Sequence, residues 1–174
     1  MKKLLILVSI IALSALASAG GNVSTKLSKV VEIPSKPCKS DKVYIEEDVA
    51  LMWQDQSYTD AEDGASKQNR SIGKSGVWRH AEAYCRTLEY SGFSDWRLPT
   101  SDELQHVHRK RGQVFTYFRG TDFWTSTPAE KGRYYVVYPA DAYIYAQKGK
   151  RTNYVRCVRC LRDGDTQTGP AIED

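Results

Sequence analysis

A helical spacing of apolar residues lies in the middle of the chain. Four of these residues, at offsets of zero, three, seven and ten, share one helical face: Trp78, Ala81, Cys85 and Leu88. We therefore predict a helix from about residue 76 to residue 90 with these side chains on its inner side. Gly92 follows as a stop signal, because glycine adopts the left-handed conformation that ends many helices.

A second helix is predicted after residue 99. Thr100 and Glu103 have the spacing of a capping box, in which each side chain accepts a hydrogen bond from the backbone N–H of the other residue. Leu104 and Val107 then give this helix a modest apolar face before Gly112.

The other apolar runs are rich in Val, Tyr, Phe and Trp, which favours β-strands. A strand pair is expected over residues 43–53, with its turn around residues 46–48. Turn signals at residues 139–141 and 148–150 separate the later strands. Four strands are predicted in the C-terminal half: residues 123–126, 133–138, 143–147 and 153–161.

Residues 54–76 are polar and predict a long surface loop, the kind of segment that often carries binding residues. Asp55, Asp60, Glu62 and Asp63 lie close together in it, and carboxylate oxygens are ligands for calcium. EF-hand spacing does not occur here, nor do the Glu-Pro-Asn and Gln-Pro-Asp triplets of calcium-dependent lectins. We therefore expect a solvated acidic loop and no cofactor, with calcium as the alternative.

The N-terminus has the three parts of a secretory signal peptide. Lys2 and Lys3 precede an apolar run over residues 4–17, and Ala17-Ser18-Ala19 is a small-residue cleavage signal. The run is shorter than the roughly 20 residues that a membrane-spanning helix needs. We predict a signal peptide over residues 1–19, export to the periplasm or the cell exterior, and no membrane span after cleavage.

Two further segments flank the predicted domain. Residues 20–43 are polar and contain Pro34 and Pro37 around Cys38, which predicts an extended segment. Residues 163–174 form a polar tail that we expect to be disordered.

Charge excludes little but does not favour a nucleic-acid ligand. The full chain has a formal net charge of +4, and removal of Lys2 and Lys3 with the signal peptide leaves 23 basic against 21 acidic residues. A balance this small gives no argument for binding nucleic acid.

The chain has four cysteines, and an even number in an exported protein usually means disulfides. Cys157 and Cys160 lie on the last predicted strand, where residues three apart point to opposite faces. A redox Cys-x-x-Cys normally lies at a helix N-terminus instead. Of the three possible pairings, this argument disfavours only the one that joins Cys157 to Cys160, and it leaves the two pairings with Cys38 and Cys85 open.

Five blocks occur in a characteristic order along the chain. They are Leu51-Met52-Trp53-Gln54-Asp55; Trp78 with Ala81, Tyr84 and Cys85; Asp95-Trp96-Arg97-Leu98-Pro99-Thr100 with Glu103-Leu104; Phe123-Trp124-Thr125-Ser126-Thr127; and Val155-Arg156-Cys157-Val158-Arg159. Together they resemble the Lcl C-terminal domain family, long described as a domain of unknown function. The resemblance runs from about residue 44 to residue 161.

The resemblance implies an α+β fold related to C-type-lectin-like and formylglycine-generating-enzyme-like domains. In such a fold two helices pack on a twisted, mainly antiparallel sheet with long loops, here over residues 44–162. The resemblance also implies a disulfide between Cys85 and Cys157. Cys38 would then pair with Cys160.

The tryptophans and Arg97 could contact a ligand, but structural roles are the better interpretation. Trp53, Trp78, Trp96 and Trp124 are expected to pack in the core, because large aromatic side chains dominate protein interiors. Arg97 is expected to form an internal ion pair or to bind the backbone, which its planar guanidinium suits.

The histidines and the known enzyme motifs also favour no active site. His106 and His108 are two residues apart on a helix and cannot share a metal ion. His80 stands alone. The chain has no Gly-x-Ser-x-Gly, phosphate-binding loop or His-Glu-x-x-His motif, so we expect no catalytic residue and no metal.

Surface chemistry therefore carries the functional hypothesis. The candidate ligand-binding residues are two basic clusters: Arg109, Lys110 and Arg111, and Lys148, Lys150 and Arg151. Several tyrosines lie between them, and cations beside exposed aromatic rings suit sulfated or carboxylated glycans. We predict a secreted, non-enzymatic binding module for an anionic polysaccharide or an envelope protein. The alternatives are a cysteine-dependent oxidoreductase and a structural subunit of an envelope complex.

Overall fold

The computed structural model describes residues 42–165. The predicted signal peptide lies outside the described residues, as do residues 20–41 and 166–174. Within the described range the chain forms three α-helices and eight strands. They are β1 (Val43–Glu46), β2 (Leu51–Gln54), α1 (Asp60–Lys67), β3 (Ser75–Gly76), α2 (Trp78–Arg86), α3 (Ser101–Arg109), β4 (Phe123–Pro128), β5 (Arg133–Tyr138), β6 (Tyr143–Lys148), β7 (Asn153–Tyr154) and β8 (Val158–Cys160).

The strands form two sheets, which confirms the predicted α+β class. The smaller sheet is antiparallel, in the order β1-β2-β8, and the predicted strand pair turns between Glu46 and Leu51. The larger sheet has the order β3-β7-β4-β5-β6 and is antiparallel except where β4 runs parallel to β7. The relation to C-type lectins stays a prediction.

Helices α2 and α3 pack in two separate apolar clusters. Ala81 and Cys85 of α2 are fully buried in a cluster with Trp96, Trp124, Val136 and Val155. Leu104 and Val107 of α3 are buried in the other, with Trp53, Phe115, Phe123 and Val137. The predicted inner faces are confirmed at Ala81, Cys85, Leu104 and Val107. Trp78 is half-buried, and Leu88 lies beyond the end of α2, which stops at Arg86 and not near residue 90. The other three tryptophans are core residues.

The predicted cap of α3 is present. The Thr100 side chain accepts a hydrogen bond from the Glu103 N–H at 3.2 Å, and the Glu103 carboxylate accepts one from the Thr100 N–H at 2.8 Å. Arg97 also donates two hydrogen bonds to this carboxylate, at 2.6 and 2.8 Å. Arg97 therefore forms an ion pair within the protein, with its side chain 40% exposed.

Residues 54–76 are not the long loop that their polarity predicts. Helix α1 occupies residues 60–67, and its own capping box joins Thr59 to Glu62. Only Ala65 gives this helix a buried apolar side chain, so the apolar periodicity was too weak to predict it. The buried Glu62 carboxylate instead binds the ammonium of Lys74 at 3.0 Å and its backbone N–H at 2.7 Å.

Residues 153–161 are also not one strand. The chain pairs as β7 in the large sheet, crosses at residues 155–157, and continues as β8 in the small sheet. This segment therefore belongs to both sheets. Within residues 42–165, no helix is long and apolar enough to span a membrane.

Replacing Glu62 with Ala should lower the free energy of unfolding by roughly 3–5 kcal/mol. The substitution leaves the Lys74 ammonium buried without its carboxylate and removes the Glu62 half of the α1 capping box, the hydrogen bond from the Thr59 N–H. Urea denaturation measures the change. Glu82→Ala, an exposed carboxylate on α2, is the control and should change stability little. Equal stability of the two variants would contradict the structural role of the Glu62–Lys74 pair.

Candidate functional site

Cys85 and Cys157 form a disulfide with an S–S distance of 2.06 Å and a Cα–Cα distance of 5.4 Å. Both residues are fully buried. The bond ties α2 to the segment that crosses between the sheets, as the family resemblance implied.

Cys160 is exposed, whereas Cys157 is buried, which agrees with the prediction that the two point to opposite sides. Cys160 forms no disulfide with any described cysteine, and its Sγ lies 4.0 Å from a guanidinium nitrogen of Arg97. Cys38 lies outside the described residues, so its bond to Cys160 stays a prediction.

The two predicted basic clusters do not form one patch. Lys148 pairs with Arg133 at one end of the β5–β6 hairpin. Lys110 lines a cavity with Pro139 and Ala140, at the other end of the same hairpin. Ligand contact at both clusters therefore requires a ligand that extends along the whole hairpin.

Lys110 is already bound within the protein. Its ammonium lies 2.6 Å from Asp48 and 3.3 Å from the buried Glu46. These hydrogen bonds, chiefly the one to Asp48, raise the pKa of Lys110. Arg109 and Arg111 are exposed and have no ion pair among residues 42–165.

The Lys148–Arg151 turn borders the feature that we call the aromatic platform, the stacked rings of Trp78 and Tyr134. The ring centroids lie 3.6 Å apart with an interplanar angle of 7°. The platform faces an open cavity of about 460 Å³. The cavity is lined by Val77, Trp78, Arg79, Gly132, Tyr134, Gly149 and Lys150.

Backbone contacts hold the platform in place. The Trp78 N–H donates to the Gly149 carbonyl at 3.0 Å, and the Trp78 indole N–H donates to the Thr125 carbonyl at 2.9 Å. A Cβ at position 149 would lie 3.2 Å from the Tyr134 ring. Gly149 thus allows the turn to approach the stack closely.

The end of α1 positions the basic turn. The Asn69 side chain accepts a hydrogen bond from the Thr152 N–H at 2.9 Å and contacts the Lys150 carbonyl at 3.4 Å. Asn69 has a φ of 52°, a left-handed conformation that asparagine tolerates better than most residues. The helix that the sequence did not predict therefore supports the site.

Three exposed cations lie at or beside the platform: Arg79 and Lys150 line the cavity, and Arg151 follows Lys150 in the turn and partly offsets the raised pKa of the Tyr145 phenol. In the described part of the chain, none of the three has a carboxylate within 4.0 Å, so they are available to a ligand. Lys148 differs, because it follows Gln147 and strand alternation directs it, with Arg133, to the opposite face of the hairpin. The sequence named Lys148 but missed Arg79.

Tyr145 lies on the platform side of the hairpin. Its hydroxyl donates to the Asp122 carboxylate and accepts from the Gln147 amide at 3.4 Å. Burial, followed by the Asp122 contact, raises the pKa of Tyr145 to about 12. The phenol is therefore a fixed hydrogen-bonding group and not an acid at neutral pH.

The four acidic residues that could have bound calcium have separate partners, or none, in the described part of the chain. Asp55 accepts the backbone N–H groups of Thr116 and Tyr117, at 2.7 and 3.0 Å, and faces the buried Arg156. Glu62 binds Lys74, and the Asp63 carboxylate accepts two hydrogen bonds from Arg119, both at 2.9 Å. The Arg119 contact lowers the pKa of Asp63. Asp60 is exposed in the first turn of α1. This arrangement does not gather the carboxylates around one point.

The histidines also have separate environments. His106 contacts the Glu46 carboxylate at 2.8 Å, and His80 contacts the Gly73 carbonyl at 2.8 Å. His108 packs between the rings of Phe115 and Phe123, and burial lowers its pKa to about 4. His106, Glu46 and Asp48 could together reach one cation, but the Lys110 ammonium already lies against both carboxylates.

The fold and the site together define the class of this protein. Residues 42–165 form an α+β domain with a buried disulfide, and a surface cavity combines stacked aromatic rings with free cations. A family model described as the Lcl C-terminal domain matches residues 42–159, more than half of the chain. The chain therefore belongs to the Lcl C-terminal domain family, as its five sequence blocks predicted. No match was found among curated proteins.

Peptide mapping without reduction should find two disulfides, Cys85–Cys157 and Cys38–Cys160. Strand register places the Cα atoms of Lys42 and Cys160 roughly 16 Å apart. Four residues of chain and one disulfide can bridge about 20 Å, so the second bond is within reach. A Cys157–Cys160 linkage, or two free thiols per unfolded, unreduced chain, would contradict this pairing.

Stability should fall as the pH decreases from about 6.5 to about 4. The pKa of His108 is lowered in the folded protein, so the unfolded chain binds more protons in this range. The loss attributable to His108 should be roughly 3 kcal/mol at most. Denaturation of the wild type and of His108→Phe at several pH values measures it. The prediction is wrong if both proteins lose the same stability between pH 6.5 and 4.

Proposed function

We propose that this protein is an exported, non-enzymatic binding module that holds an anionic glycan on the aromatic platform. The observation that carries the proposal is the stacked pair of Trp78 and Tyr134 in an open cavity, with Arg79 and Lys150 on its wall. Cavities of this kind combine apolar surface with a few polar groups that orient a ligand.

The two kinds of side chain have complementary roles. The platform offers broad apolar area to the C–H face of a sugar ring. The planar guanidinium of Arg79 can donate two parallel hydrogen bonds to a carboxylate or sulfate, whereas the ammonium of Lys150 acts as a compact charge. Neither needs to break an internal ion pair among the described residues first.

A polymer fits this surface better than a small anion. Each exposed ion pair contributes only about 0–1 kcal/mol and is screened over roughly 10 Å at 0.1 M salt. Useful affinity therefore needs several contacts along one ligand, and it should decrease as salt increases.

The location outside the cytoplasm is part of the proposal. The predicted signal peptide over residues 1–19 supports it, and so does the Cys85–Cys157 disulfide, because such bonds persist in oxidising compartments. A cysteine-dependent oxidoreductase is the weaker hypothesis, since Cys85 and Cys157 are buried and bonded and Cys160 has no cysteine partner among the described residues.

The test compares two double variants that remove equal charge, one from the cavity wall and one from the other face of the hairpin. Arg79→Ser with Lys150→Ser alters the cavity wall, and Arg133→Ser with Lys148→Ser is the matched control. The cavity variant should bind heparin roughly 2- to 20-fold more weakly than the wild type, with elution at lower salt. The control should retain most of its affinity.

Two outcomes would contradict the proposal. Equal losses in both variants would mean that net charge alone causes retention. Unchanged retention in the cavity variant would exclude the platform and direct attention to Arg109 and Arg111. Trp78 fluorescence gives a second measurement, because Trp53, Trp96 and Trp124 are buried and Trp78 lies at the cavity.

A further inference from the structure

We propose that Tyr138 and Tyr143 form a second stacking position for the same ligand, so that the protein recognises a glycan chain running along the β5–β6 hairpin. This inference rests on the proposed function, because it extends the ligand from the aromatic platform. It assigns the ligand a minimum length and gives its two ends different physical chemistry.

The strand register places both positions on one face. Tyr134 pairs with Gln147, and Tyr138 pairs with Tyr143. Residues that pair directly, and residues two or four apart along a strand, share a face of the sheet. Tyr138 is four residues from Tyr134, so the two stacking positions lie roughly 13 Å apart.

The second position is open to solvent. Tyr143 is 61% exposed and Tyr138 is 37% exposed, which makes them the two most exposed of the Phe, Trp and Tyr residues in the described part of the chain. The Tyr143 ring lies against the Tyr145 ring, with centroids 5.9 Å apart and an interplanar angle of 27°. Tyr143 therefore has the Tyr145 ring as a neighbour on one side, while most of its surface is open to solvent.

Between the two positions Val136 of β5 is fully buried, so the accessible path runs over the half-buried β6 side chains of Tyr145 and Gln147. Tyr145 contacts Asp122 and Gln147, and the Gln147 amide oxygen accepts a hydrogen bond from Asn153 at 2.6 Å. Arg151 lies within electrostatic range of Tyr145. This row offers fixed amide and hydroxyl groups of the kind that bind sugar hydroxyls, together with one carboxylate, that of Asp122, and one cation.

The charges differ between the two ends. Arg79 and Lys150 flank the platform, whereas the neighbour of Tyr143 is Asp141, whose carboxylate accepts the Tyr143 backbone N–H at 2.9 Å. Stacking must therefore dominate at the tyrosine end and charge at the platform end. Salt screens charge but not stacking, so the contribution of the tyrosines should persist at high ionic strength.

A small ligand can occupy only one of the two positions. Several consecutive sugar units are needed to span the distance between them, so affinity should rise with chain length until both are filled. The gain on filling the second position should be about two- to tenfold, the range of an aromatic contact at a protein surface.

The experiment measures binding of heparin oligosaccharides, from disaccharide to decasaccharide, to the wild type and to Tyr138→Ser with Tyr143→Ser. A parallel series of oligogalacturonates, which carry carboxylates without sulfates, separates the two anion chemistries. The double variant should lose about two- to tenfold affinity for the long oligosaccharides and none for the disaccharide. The ratio between variant and wild type should not shrink at high salt.

A matched control replaces Val49 with Ser, since Val49 is 43% exposed and lies at the turn of the small sheet. This variant should bind every oligosaccharide as the wild type does. Equal losses for short and long oligosaccharides in the tyrosine variant would overturn the inference, as would no loss at all. If the wild type binds neither series at any length, the proposed function itself fails.

Discussion

The Cys85–Cys157 disulfide is the constraint on which the rest of the structure depends. Cys157 lies where the chain leaves the large sheet as β7 and enters the small sheet as β8, so the bond fixes both sheets to α2. It joins residues 72 positions apart. Closing a loop of that length lowers the entropy of the unfolded chain, which stabilises the folded state by roughly 4 kcal/mol. The strand pairs on either side can then be short, since β7 and β8 have only two and three residues.

Two buried arginines complete this crossing. Arg156 donates to the Gln54 carbonyl at 2.6 Å and lies 3.7 Å from the centre of the Phe115 ring. Arg159 donates to Asp95 at 2.6 Å and stacks 3.9 Å from the centre of the Phe93 ring. Each guanidinium is nearly inaccessible, and a buried cation is tolerated only where carboxylates and carbonyls surround it. All five residues of the family block are therefore buried, and the block is not a strand with one solvent-exposed face: Val155-Arg156-Cys157-Val158-Arg159.

The parts of the fold that could be predicted are those whose signal is local. Apolar periodicity found α2 and the β5–β6 hairpin, and a capping box found α3. Helix α1 has a capping box too, at Thr59 and Glu62, but it buries a carboxylate where the usual pattern requires an apolar residue. The partner of that carboxylate, Lys74, is twelve residues away, and no local pattern reveals it. The crossing at residues 155–157 could not be predicted for the same reason. Which sheet each half of the segment joins depends on distant strands, and the local sequence does not show it.

The candidate site, too, could be predicted only in part from the sequence. Clustered basic residues indicated the Lys148–Arg151 turn, but charge density alone could not separate Lys150, at the cavity, from Lys148, on the other face. It also overvalued Lys110, whose charge Asp48 and Glu46 already neutralise. Arg79 could not be selected from the sequence, since it becomes a neighbour of Lys150 only when Trp78 bonds to Gly149. A cation is available to a ligand only if it forms no ion pair with a carboxylate of the protein. In this chain the fold decides which cations meet that condition.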